Sequence, residues 1–139
     1  MKLFVALLAL AMTAPSLVEV RAIPDPLRRF NAAIACAEHQ YAQARELVRE
    51  FGSRQELESH LNDLADAYQL ALDALKETGR KPSRLGRQYK KGEVSTREVE
   101  RMLHEVALAV TLDDRPLVQR AHARVTAVHD EFLQGVMSK

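Results

Sequence analysis

The sequence predicts an all-α fold: a small antiparallel four-helix bundle with a long basic loop between its second and third helices, preceded by a signal peptide. Three observations predict it. Apolar residues recur at spacings of three and four along four separate stretches, the pattern of amphipathic helices. Most of these stretches open on capping residues, and the first two stop at glycine, the local signals of helix ends. None alternates apolar and polar residues with the period of two that a half-buried strand requires.

The chain begins MKLFVALLALAMTAPSLVEVRA. One early cation, Lys2, precedes an apolar run from Leu3 to Met12, and small or β-branched residues follow up to Val20 and Ala22. This is the layout of a secretory leader, and the run falls short of the ~20 residues a membrane span needs. The expectation is a signal peptide over residues 1–22, cleaved after Ala22 with Ala14 as the second candidate, then a single exported bundle domain over 23–139. The chain holds 20 Lys and Arg against 19 Asp and Glu. Loss of Lys2, Glu19 and Arg21 with the leader leaves the two signs equal.

Asp25-Pro26 opens the first helix, since Asp caps free N–H groups and Pro has no donor to waste at the first helical position. Its stripe is Leu27, Phe30, Ile34, Ala37, Tyr41, Ala44, Val48 and Phe51, ended by Gly52. Ser53 and Glu56 have the spacing of a capping box ahead of Leu57, Leu61, Leu64, Tyr68, Ala71 and Leu75, which stop at Gly79. These two helices, each about 25 residues, predict a hairpin roughly 40 Å long. A second capping box at Ser95 and Glu98 precedes Val99, Met102, Leu103, Val106 and Val110. From Val106 to Leu112 the helix is apolar nearly all round, which predicts a buried end. The last helix starts at Asp113 or Asp114, carries Pro116 in its first turn, and shows Val118, Ala121, Val125, Val128, Phe132 and Val136. On this reading the third and fourth helices are shorter than the first two, and the hairpin overhangs them.

Little in the chain points to catalysis. There is no Gly-rich phosphate loop, no Gly-x-Ser-x-Gly elbow and no Glu-x-x-His metal pattern, so neither catalytic nor metal-ligating residues nor a cofactor are expected. The five histidines never stand three or four apart. His122 and His129 lie two turns apart beside the last stripe, about 10 Å along the axis, and are the candidates for a pH-sensing pair. Cys36 is the only cysteine. In an exported chain it is a free thiol or a bond to a second copy, so the expected state is a monomer or a Cys36-linked dimer.

The one place where charge is organised beyond the needs of a helix is GRKPSRLGRQYKKGE, residues 79–93, with six cations and a single acid at its last position. Arg80, Lys81, Arg84, Arg87, Tyr89, Lys90 and Lys91 form the candidate contact surface. Its partner would be an extracellular protein or an anionic glycan or lipid surface, and nucleic acid is not expected outside the cell. Two other readings remain. The Ala-rich stripes would admit a small apolar ligand such as a fatty acid, and the Arg80-Lys81 and Lys90-Lys91 pairs would serve as cleavage sites of a precursor. The function expected from sequence is therefore a secreted, non-enzymatic binding protein.

Overall fold

The computed structural model describes residues 14–139; Lys2 and the apolar run of the expected leader, to Met12, lie outside the described residues. Among the described residues there are five α-helices: α1 Leu17–Arg21, α2 Pro26–Arg49, α3 Arg54–Glu77, α4 Gly86–Ala109 and α5 Arg115–Met137. A single 3₁₀ turn spans Pro82–Arg84, and there is no strand among the described residues. The four predicted helices are α2 to α5. The short α1 is additional, and none of the described helices is long and apolar enough to cross a membrane.

Two of the predicted helix starts form as their sequence implies. The Asp25 carboxylate accepts the Arg28 N–H at 2.9 Å and the Ser53 hydroxyl accepts the Glu56 N–H at 3.4 Å. The end of α2 differs. It stops at Arg49, and Phe51 takes the left-handed conformation at φ 54°. The Gly52 N–H then reaches back to the Leu47 carbonyl at 2.8 Å and the Phe51 N–H to that of Val48 at 3.4 Å, which is a Schellman closure with Phe where Gly is usual. The Phe51 ring, predicted to belong to the core stripe, is 94 % exposed, because the chain leaves the helix before that residue's turn. Replacing Phe51 by Gly removes a left-handed side chain at no packing loss, and is expected to stabilise the fold by about 1 kcal/mol, read as a higher urea midpoint with unchanged slope.

The largest departure concerns the basic loop. The irregular connection is short, and α4 begins at Gly86, so Arg87, Tyr89, Lys90 and Lys91 lie on a helix of 24 residues, the same length as α2 and α3. There is no overhang of the first hairpin. Ser95 sits in the middle of α4 and caps nothing. The buried stripe of α4 runs Leu85, Tyr89, Gly92, Thr96, Val99, Leu103 and Ala107. Its first half is built from glycine and hydroxyl-bearing residues that no hydropathy pattern marks as interior.

The predicted antiparallel order holds within each hairpin and fails between them. α2 packs along α3 and α4 along α5 most extensively, α3 meets α5 next, and α2 touches α4 more lightly. Ion pairs Arg54–Asp114 at 3.5 Å, Asp66–Arg124 at 2.6 Å and Lys76–Glu131 at 3.0 Å step along α3 and α5 in the same direction. Those helices therefore run parallel, as do α2 and α4. The connection through Pro82–Arg84 crosses one end of the bundle diagonally, with Leu85 buried beneath it.

That end holds the tightest packing. Phe132 meets Phe30 and Tyr89 edge-on, with ring centroids 6.3 and 6.1 Å apart. A Cβ on Gly92 would stand 2.5 Å from the Phe132 ring, and one on Gly135 would overlap the Tyr89 ring, so glycine at both positions lets α4 and α5 approach. At the opposite end the expectation of burial from Val106 to Leu112 is not met. Ala107 is buried and Val106 and Val110 are partly so, but Leu108 and Leu112 are 66 % and 76 % exposed, because α4 stops at Ala109 and its outer face points to solvent.

Candidate functional site

The cations singled out in the sequence gather at the end of the bundle crossed by the connector. Arg80 and Lys81 precede the 3₁₀ turn, Arg84 closes it, Arg87 stands in the first turn of α4, and Lys90 and Lys91 follow one turn on. All six are exposed. Lys90 donates to Glu93 at 3.1 Å and Lys91 to the Asn31 side-chain Oδ1 at 2.9 Å. Arg80, Lys81, Arg84 and Arg87 have no ion-pair partner among the described residues. Tyr89 does not share this surface: its ring is buried against Phe132 and Gly135, and burial pushes its hydroxyl pKa up.

The start of α4 adds to the positive field. Its cap position, Leu85, offers no side-chain acceptor, and its first turn holds no acid. The free N–H groups of that turn and the helix dipole therefore face the same end as the four unpaired cations, an arrangement that favours a bound anion. Arg87, Lys90 and Lys91 also rim an open groove of about 710 Å³ between α2 and α4, floored by Ile34 and Val94 and edged by Glu38 and Glu98. The groove exists because these two helices are the lightly packed parallel pair.

Ser95 lines the groove from below. Its hydroxyl donates to the Glu38 carboxylate at 3.1 Å, and Tyr68, fully buried on α3, shares a 2.7 Å hydrogen bond with it. Burial, opposed by the Ser95 bond, leaves the Tyr68 hydroxyl pKa strongly raised, so it remains a neutral pin joining α2, α3 and α4. Sequence reasoning missed this relay because it assigned Ser95 to a cap and Tyr68 to an apolar stripe.

The predicted histidine pair faces α4. His122 lies 4.0 Å from Glu100 and its ring centroid 6.1 Å from that of His104, while His129, 13 % exposed, lies 3.2 Å from Glu93 and 3.7 Å from both Glu100 and Asp130. Glu100 thus stands between the two histidines. No three His, Cys, Asp or Glu among the described residues are placed to hold a metal ion.

Glu93 is the buried acid of this seam, meeting Lys90, Arg97 at 3.1 Å, and His129. Desolvation works to raise its carboxyl pKa, but the hydrogen bonds from Lys90 and His129 and the Arg97 charge prevail and hold it below the usual carboxylate range. A depressed folded value means that the unfolded chain binds the proton more tightly. The contribution is full above the unfolded value near ~4.3 and is lost as pH falls through the lowered folded value. Glu93→Gln is expected to flatten the acid limb of the stability profile, measured as urea midpoints from about pH 6 down to about pH 3.

Cys36 is fully buried on α2, and burial together with the Asp63 charge raises its thiol pKa. A disulfide to a second copy would require the thiol to leave the core. Compared with known protein families, curated proteins and solved structures, the chain matches none of them.

Proposed function

We propose that this is an exported, non-enzymatic binding protein whose basic end docks on a polyanionic face of another macromolecule. One observation carries the reading: Arg80, Lys81, Arg84 and Arg87 converge, exposed and unpaired, on the end where the N–H groups of α4 open. Several cations elsewhere pair across helices, as Lys76 does with Glu131 and Arg124 with Asp66. Four unpaired cations in one place raise the local concentration of anions and steer association. The same role fits a sulfated glycan, an anionic lipid surface or an acidic protein face.

A second reading, a carrier of a small apolar ligand, is favoured by the groove between α2 and α4, whose cationic rim and apolar floor suit a carboxylate on a chain. The precursor reading finds less support, since Lys90 and Lys91 lie within a helical turn.

The test is a salt titration of the exported protein on an immobilised sulfated polysaccharide and on vesicles with and without anionic lipid, beside displacement of a fluorescent fatty acid. Retention that falls steeply as salt shortens the screening length from about 10 Å at 0.1 M is the expected result. Saturable, salt-insensitive uptake of the fatty acid with no retention on either surface would replace it with the carrier reading.

A further inference from the structure

We infer that residues 17–25 are part of the mature domain, so that the cut releasing the leader falls upstream of Leu17 and not after Ala22. The inference rests on the reading of an N-terminal leader and concerns where it ends. α1 packs on α2 and α3, with Val20 fully buried and Leu17 nearly so, while Val18 is 75 % exposed. The Ser16 hydroxyl caps it, accepting the Glu19 N–H at 3.2 Å. This short helix is therefore amphipathic towards the bundle, with its apolar side inward.

The link into α2 is held as well. Arg29, buried on the first turn of α2, donates to the Ile23 carbonyl at 2.8 Å, bonds that of Pro24 at 3.4 Å, and pairs with Glu77 at the end of α3. A cut after Ala22 would strip Leu17 and Val20 from the apolar surface they cover. It would also place a new ammonium on Ile23, beside the guanidinium that binds its carbonyl. A cut between Ser16 and Leu17 keeps the Leu17, Val20 and Arg29 contacts and gives up only the Ser16 cap. Ala14-Pro15-Ser16 supplies small residues at the two positions a leader peptidase reads. The reaction is hydrolysis: water adds across the amide, leaving a carboxylate on the leader and an ammonium on the domain.

The experiment is the intact mass and N-terminal sequence of the protein secreted from cells expressing the full chain. A terminus at or before Leu17, with residues 3–12 removed, is the expected result. A terminus at Val18 or later, Ile23 included, overturns the inference while leaving the leader reading standing. A secreted chain that retains residues 3–12 overturns both. On the same material, Val20→Asp is expected to lower the thermal midpoint by roughly 8 °C and Val18→Asp to leave it within about 2 °C. Equal midpoints for the two variants would mean that α1 is not packed on the mature domain, and would overturn the inference independently.

Discussion

Replacing Arg80, Lys81, Arg84 and Arg87 together by Gln is expected to abolish retention on a polyanionic surface while leaving the melting curve where it was. The two halves of this expectation have separate grounds. Each cation close to an anionic surface contributes about 1 kcal/mol, so four together amount to roughly a thousandfold in affinity at 1.4 kcal/mol per decade. None of the four pairs with an acid among the described residues, and substitutions at such sites usually change stability by less than about 0.5 kcal/mol. Retention unchanged in the quadruple variant would reduce this end of the bundle to a connector. Lys90→Gln and Lys91→Gln serve as comparisons, because both side chains already have partners in Glu93 and Asn31 and should contribute less.

The second large effect is on stability. Phe132→Ala is expected to cost about 3–5 kcal/mol, the range for removing a buried aromatic ring. The cost should fall at the upper end because the ring is shared. It touches Phe30 of α2 and Tyr89 of α4, and Gly92 lies against its edge, so truncation leaves a void bordered by backbone that cannot collapse without moving α4. Chemical denaturation followed by circular dichroism measures the loss. A cost below about 1 kcal/mol would mean that α4 and α5 do not meet through this ring. The same void predicts a partial rescue by Gly92→Ala, which is disfavoured while Phe132 is present and gains helix propensity once it is gone.

How legible this was in the sequence varies along the chain. The stripes of α2, α3 and α5 were readable because Leu, Val, Ile and Phe mark them at a regular spacing, and Asp25 and Ser53 cap as their positions imply. The first half of α4 was not. Its interior residues are Tyr89, Gly92, Glu93, Ser95 and Thr96, chosen for close approach and for hydrogen bonds to other helices, and hydropathy scores such residues as surface. The misplaced helix start carried the site with it: the long basic loop became a short connector plus two helical turns, and Tyr89 moved from the contact surface to the core. Charge alone did mark residues that gather at one end of the molecule, since Arg80, Lys81, Arg84 and Arg87 are exposed there. Parallel pairing between hairpins was out of reach, because connector length does not say whether a chain crosses to an adjacent or a diagonal neighbour.

The diagonal crossing sorts the chain's breaks into two groups. Both hairpin turns, Glu50–Ser53 and Val110–Asp114, lie at one end, where Arg54 meets Asp114. The connector, the start of α2 and the finish of α5 all lie at the other. A dye attached to Lys139 would thus sit beside the proposed docking face and obstruct the contact it was meant to report. Handles belong on the far turns, and Phe51, which gives up no packing, is the natural place for one.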